Sequence, residues 1–188
     1  MTKSILVVGV GGQGNLLLSR ILGDVFLSKG FDVKISEVHG MAQRGGSVVT
    51  YVKFGEKIYS PLIEKNEADF ILAFEKLEGL RWIDYLKDDG VLILNDYEIP
   101  PMSVISGISK YPDVISILEK QNLNYKLVDL NSVVNKLNSS RVMNIALLGY
   151  FSKYFDFSEQ DWIDAIKRNI KEKFIDINLK AFSFGKEL

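Results

Sequence analysis

The chain has 188 residues, 47% hydrophobic and 25% charged, with a formal net charge of -1. That length suits one α/β domain with a core of its own, and the balanced charge speaks against a nucleic-acid binder, which needs a basic face. There is no cysteine and a single histidine, His39, so this chain alone builds no disulfide, no thiolate zinc site, no cysteine-ligated iron–sulfur cluster and no multi-histidine metal centre.

No stretch reaches the roughly 18 apolar residues of a membrane span, because Asp24 and Lys29 interrupt the best candidate. A strand is predicted directly after Met1-Thr2-Lys3, which argues against a signal peptide. The expectation is a cytoplasmic protein with no membrane or nucleic-acid partner, whose redox chemistry, if any, resides on a bound cofactor or another chain.

Ile5-Leu6-Val7-Val8 reads as a short, fully buried strand. It runs into Gly9-Val10-Gly11-Gly12-Gln13-Gly14, a G-x-G-x-x-G at Gly9, Gly11 and Gly14. An apolar helical pattern follows from Leu16 through Phe26, with Gly30 as its stop. Strand, glycine turn and helix in one unit predict an anion site, since glycines let a phosphate approach the backbone and the helix N-terminus attracts it. Phe31 to Val38 is the second predicted strand. Glu37 lies at its end, 23 positions after Gly14, near where dinucleotide-binding folds place a ribose-holding acid.

His39-Gly40-Met41-Ala42-Gln43-Arg44-Gly45-Gly46 has neither helical nor strand period. Its arginine offers a bidentate fork for an anion, and its glycines let the backbone form an anion nest or lie against another chain. The stretch is assigned a binding or interface role, with His39 as a loop anchor. Ser47 to Phe54 alternates as a strand, and Gly55-Glu56-Lys57 is predicted to turn it into a hairpin with Ile58-Tyr59, ended by Pro61. Asp69 to Phe74 is a further buried strand, followed by a helix over Lys76 to Lys87 that Gly90 stops. Glu75 and Glu78 read as solvated first-turn acids.

Val91 to Leu94 is the next buried strand, ending at Asn95-Asp96. Pro100-Pro101 and Gly107 mark a loop expected to cover or flank the site. Val114 to Glu119 reads as a helix and Tyr125 to Val128 as a strand. The C-terminal third is helical: one helix over Asn144 to Phe155, then another started by a capping box of Ser158 and Asp161 and carrying Trp162, Ile166, Ile170 and Phe174. Asp164 and Arg168 are predicted to pair on its outer face. Asn144 is expected to cap its helix, or to reach the ligand if it lies beside the glycine turn. The fold expected is a Rossmann-like α/β open sheet, mostly parallel with an antiparallel hairpin, in a single domain over 1–188.

Three stretches taken together resemble a known family: Gly9 to Gly14, then Ser36-Glu37-Val38-His39-Gly40-Met41-Ala42-Gln43-Arg44-Gly45-Gly46-Ser47-Val48, then Asn144-Ile145-Ala146-Leu147-Leu148-Gly149. The resemblance is to the gamma-type module of 2-oxoacid:ferredoxin oxidoreductases, and within it to the beta subunits of the indolepyruvate ferredoxin oxidoreductases. It extends over almost the full length, and the second stretch is its most specific part.

The resemblance implies a share in the oxidative decarboxylation of a 2-oxoacid, such as an arylpyruvate, to an acyl-coenzyme A, with electrons passed to ferredoxin. It also implies that thiamine diphosphate and the iron–sulfur clusters belong to a large partner subunit. This chain has no cysteine and no Gly-Asp-Gly thiamine signature. No catalytic residue is assigned to it; its implied task is to complete the site and help bind coenzyme A. The residues that carry over are Gly9, Val10, Gly11, Gly12, Gln13 and Gly14, with Asn144 as the matching C-terminal polar position. The stretch His39 to Gly46 then faces the partner's thiamine site. For the 3′-phosphate of coenzyme A, Lys34, Arg44 and Arg141 stand as candidate cations. Two other readings remain open: a small NAD(P)-binding Rossmann oxidoreductase using Glu37, and a non-catalytic assembly module.

Overall fold

The computed structural model describes residues 2–40 and 46–188, so Met41, Ala42, Gln43, Arg44 and Gly45 of the predicted loop lie outside the described residues. Six strands form one sheet: β1 (Lys3–Val10), β2 (Asp32–His39), β3 (Ser47–Gly55), β4 (Ala68–Ala73), β5 (Leu86–Asn95) and β6 (Tyr125–Val128), in the spatial order β2-β3-β1-β4-β5-β6. The pairs β1–β4, β4–β5 and β5–β6 are parallel, while β3 is antiparallel to both β1 and β2. The helices are α1 (Asn15–Ser28), α2 (Lys76–Arg81), α3 (Met102–Ile105), α4 (Val114–Lys120), α5 (Leu130–Leu137), α6 (Met143–Ser152), α7 (Glu159–Asn169) and α8 (Ile175–Glu187).

Strand β1 shows why the sheet is covered on both sides. Successive side chains point to opposite faces, and all four of Ile5 to Val8 are fully buried. Ile5 and Val7 join the core under α1 and α5 to α8, whereas Leu6 and Val8 join the core under α2 and α4. Helix α1 stops where the sequence places its stop. Gly30 has φ +83, its N–H donates to Leu27 O and Phe31 N–H donates to Phe26 O, which is a Schellman motif.

The antiparallel hairpin exists but is not the one predicted. Strand β3 pairs with β2 on one side and β1 on the other, so both of its hydrogen-bonding edges are filled and Ile58-Tyr59 has no place beside it. Ile58 instead donates its N–H to Asp32 Oδ2 at 2.8 Å. The predicted helix over 76–87 is also shorter. It ends at Arg81, a 3-10 turn covers Ile83–Tyr85, and β5 starts at Leu86. Gly90 lies inside β5 rather than ending a helix, and a Cβ there would come within 2.9 Å of Ala68 O.

The C-terminal helices differ from their prediction as well. The capping box of Ser158 and Asp161 is present, but α7 ends at Asn169 and Ile170 is extended, so Phe174 belongs to a separate turn. That break lets α8 fold back on α6, where the two backbones meet at glycines: a Cβ on Gly149 would lie 2.1 Å from Phe182 O, and one on Gly185 would lie 2.0 Å from Ala146 O. Arg168 does not pair with Asp164. It reaches α1, placing Nε 2.9 Å from Asp24 Oδ2, while Asp164 accepts from Gln160.

Candidate functional site

Strands β1, β4 and β5 all end at one edge of the sheet, and β3 begins there. Because α1 covers one face and α2 the other, β1 and β4 flank the point where the connections diverge, the usual location of a binding crevice in an open α/β sheet. The glycine turn occupies this edge. Gly14 is the N-cap of α1 with φ +92 and offers no side-chain cap, and the first turn of the helix carries no acid. The helix therefore starts with donors unsatisfied by its own side chains. Among the described residues, the amides of Gly12, Gly14, Asn15 and Leu16 have no acceptor, while Gly11 N–H donates to Gly46 O at 2.9 Å and Gln13 N–H to Val10 O at 3.2 Å.

Polar side chains around the turn are spent on holding it. Gln13 Oε1 accepts from Val10 N–H at 2.6 Å, and its amide reaches Phe74 O on β4 at 3.4 Å. Asn15, buried, donates toward Val7 O and Val48 O. Asn144, only 3% exposed, does lie beside the turn, at the start of α6, and donates toward Gly14 O at 3.4 Å. Gly9 and Gly14, which face protein, differ from Gly12. A Cβ on Gly9 would meet Gln13 Oε1 at 2.7 Å and one on Gly14 would meet Asn144 Nδ2 at 2.6 Å, while Gly12, with φ +100, has nothing within 4 Å among the described residues.

A cavity of about 260 Å³ opens over this turn, lined by Val10, Gly11, Gly12, Gly14, Asn15 and Leu16 on one side and by Glu37, His39 and Val48 on the other. Both Glu37 oxygens are engaged, Oε2 with Thr50 Oγ1 at 2.8 Å and Oε1 with His39 Nε2 at 2.8 Å. Glu37 sits on β2, an antiparallel edge strand separated from β1 by β3. A dinucleotide-binding fold instead places that strand directly beside β1, with no strand between them. Lys34 pairs with Asp32 at 2.8 Å. Gly40 and Gly46 lie at the mouth of the loop, Gly40 N–H donating to Ser47 O at 2.9 Å.

Glu75 and Glu78, read as solvated helix ends, are in fact 1% and 3% exposed. Glu75 caps α2, accepting Glu78 N–H, and also accepts from Ile99 N–H and from the Tyr111 hydroxyl. Burial and that carboxylate push the Tyr111 hydroxyl far above its ordinary value, so it stays a donor. Glu78 accepts from the Ser47 hydroxyl and from Arg81, yet burial still pushes its carboxyl up. Through Ser47 the exit of the His39–Gly46 loop is thus tied to α2. Their position right after a predicted strand end hinted at this burial; the two acid letters alone did not. Among the described residues no group of three or more histidine or acidic side chains is placed to hold a metal.

The model of the family described as pyruvate ferredoxin/flavodoxin oxidoreductase matches residues 4–188. The indolepyruvate oxidoreductase subunit IorB of Thermococcus kodakarensis is 36% identical over 188 aligned positions, covering 97% of this chain and 93% of that one. Among solved structures, the gamma subunit of a keto/oxoacid ferredoxin oxidoreductase from Geobacter sulfurreducens superposes with a TM-score of 0.71 at 23% identity, over 98% of this chain and 96% of that one. The 2-oxoglutarate:ferredoxin oxidoreductase of Magnetococcus marinus, solved with 2-oxoglutarate, coenzyme A and succinyl-CoA, superposes with a TM-score of 0.77 at 19% identity, over 99% of this chain and 30% of that one. Residues 4–188, glycine turn and C-terminal helices included, place the chain in the pyruvate ferredoxin/flavodoxin oxidoreductase family.

Proposed function

We propose that this chain is the small subunit of a 2-oxoacid:ferredoxin oxidoreductase acting on arylpyruvates such as indolepyruvate, and that its glycine turn holds the pyrophosphate of coenzyme A. The subunit role rests on the 36% identity to IorB along nearly the whole of both chains. The ligand role rests on one observation above all: among the described residues, α1 begins with unpartnered amides beside Gly12, whose Cβ direction is empty. That arrangement fits a phosphate group, which accepts several N–H bonds and gains from the helix dipole.

Thiamine diphosphate and iron–sulfur clusters supply carbanion and electron-transfer chemistry in such enzymes, and in this reading both reside on a large partner subunit that also passes electrons to ferredoxin. This chain contributes binding and orientation. The amides of Gly12, Gly14, Asn15 and Leu16 present the anion site, Gln13 and Asn144 keep the turn in shape, and His39 to Gly46 faces the partner. Exposed Met102, Ile105 and Ile108, at 74%, 66% and 83% exposure, follow the Pro100-Pro101 loop and supply apolar surface for docking. No helix among the described residues is long and apolar enough to cross a membrane, in keeping with work in the cytoplasm.

Reconstitution tests the reading. The isolated chain turns over nothing; mixed with the large cluster-bearing subunit, it restores reduction of ferredoxin or a viologen dye that depends on both an arylpyruvate and coenzyme A. Turnover by this chain alone, or full activity of the large subunit without it, refutes the assignment.

A further inference from the structure

The cavity over the glycine turn has two walls of opposite character. One is the turn with the start of α1, whose amides and dipole favour negative charge. The other carries Glu37, a carboxylate whose side chain is only 10% exposed. Left bare, it would repel the anion that the opposite wall attracts. The same wall holds what cancels it: His39 Nε2 lies 2.8 Å from Glu37 Oε1, and the imidazole, 62% exposed, also lines the cavity. No other charge does so among the described residues. Strand β3 contributes Val48, and the turn with α1 contributes glycines, Val10, Asn15 and Leu16. Thr50, opposite Glu37 in the ladder, is neutral and donates to Oε2. Lys34 pairs with Asp32 and points to the other face of β2.

We propose that His39 is a proton-dependent binding residue of this site: an anion at the glycine turn is held fully only when the imidazole is charged, so its binding takes up a proton. The proposal rests on the phosphate reading of the turn and adds a regulation to it. With the ring neutral, the anion faces an uncompensated Glu37 across a small cavity. With the ring charged, Glu37 and His39 form a neutral pair, and the imidazolium adds attraction of its own. Histidine changes charge between about pH 5 and 8. Binding and protonation strengthen each other by the same factor, so affinity is full below that range and is lost as pH rises through it. Glu37 thereby gains a use at the cavity that its distance from β1 denies it in holding a ribose.

Titration calorimetry of the two-subunit complex with dephospho-coenzyme A tests this. That probe carries its diphosphate as a diester of fixed charge and lacks the 3′-phosphate, whose own proton would titrate in the same range. The native complex binds it about fivefold or more weakly at about pH 8 than at about pH 6, and heats in buffers of different ionisation enthalpy show a net proton uptake. In His39→Gln the slope vanishes: affinity at about pH 6 falls to the native level at about pH 8 and changes by less than about twofold between them. Glu37→Gln, free of the opposing charge, binds more tightly than the native complex at about pH 8. Melting temperatures close to the native one show that both variants are folded. A native affinity flat with pH, a slope that survives His39→Gln, an equal loss in His39→Gln at both pH values, or a Glu37→Gln complex no tighter than the native one at about pH 8 overturns the proposal. Binding without a slope leaves the phosphate reading of the turn standing, whereas no binding at any pH overturns both.

Discussion

Gly12→Ala separates what the glycine turn does for the fold from what it does for a ligand. Gly12 has φ +100 and a Cβ direction that is empty among the described residues, so an alanine there meets none of their atoms. Its cost to folding is the left-handed backbone, about 1–2 kcal/mol, partly offset by about 0.4–1 kcal/mol from a less flexible unfolded chain. The net of roughly 1 kcal/mol lowers the melting temperature by about 2–4 °C in a chain of this size. The new methyl, however, stands where a phosphate would approach the free amides. Losing one charge-assisted hydrogen bond costs about 1.5–3 kcal/mol, so coenzyme A affinity of the two-subunit complex falls by about tenfold to a hundredfold. Gly30→Ala is the matched control, since Gly30 has φ +83, open space around it and a position at the far end of α1. It carries the same backbone penalty and leaves coenzyme A binding untouched. Calorimetry on the complex beside thermal unfolding of each variant reads both effects. A Gly12→Ala complex that binds coenzyme A within about twofold of the native one refutes the phosphate reading of the turn.

Gly185→Ala tests the α6–α8 contact, where helix propensity and packing predict opposite signs. Alanine gains about 1 kcal/mol in an isolated helix, but here its Cβ would lie 2.0 Å from Ala146 O, a backbone atom that cannot rotate away. Destabilisation of about 3 kcal/mol or more is expected in denaturant titration, and a stabilised variant would show that the helices do not cross this closely. Asp69 sets part of the acid limb. Burial pushes its carboxyl up, but hydrogen bonds from Lys87, Ser4 N–H and Lys3 outweigh it and hold it below the ordinary carboxylate range. A lowered native pKa gives stability that is complete above the unfolded value near 3.8 and is lost as pH falls through the native one. Asp69→Asn therefore lowers stability at neutral pH and flattens its fall below about pH 4; an unchanged acid limb removes the assignment.

The parts of the fold legible in the sequence are those decided by neighbours along the chain. Strand β1, the glycine turn, the Gly30 stop and the Ser158–Asp161 capping box each sit within a few residues of the signal that announces them. Sheet order was not legible, because the placement of β3 between β1 and β2 is a long-range pairing and Val48 to Phe54 alternates equally well at an edge or in the interior. The loss of the helix over 82–87 has the same origin: Leu86 could complete a helical stripe, but pairing with Ala68 draws it into β5. Within the site, the turn and Asn144 were readable as candidates, whereas the burial of Glu75 and Glu78 depends on Tyr111, Ile99 and Ser47 arriving from elsewhere. Arg141, one of three cations named for a phosphate, lines a different cavity, between the α5–α6 and α7–α8 connections, together with Lys171, which has no motif around it.

What unites the edge of the sheet is that its polar side chains are turned toward protein. Gln13 bonds Val10 and Phe74, Asn15 reaches β1 and β3, Asn144 supports Gly14, and Ser47 is held by Glu78. Once these groups are spent, the glycine turn has little left to offer a ligand except main-chain N–H groups and the field of α1, which hold a charged phosphate well but perform no proton transfer or nucleophilic attack. In the function proposed, such a surface would orient an anionic carrier and leave bond-making to groups brought by another polypeptide. Substitutions of Gln13, Asn144 or Glu78 should accordingly act by shifting the turn or its neighbouring loop, weakening coenzyme A binding and stability together, while a change at Gly12 weakens binding far more than it weakens the fold.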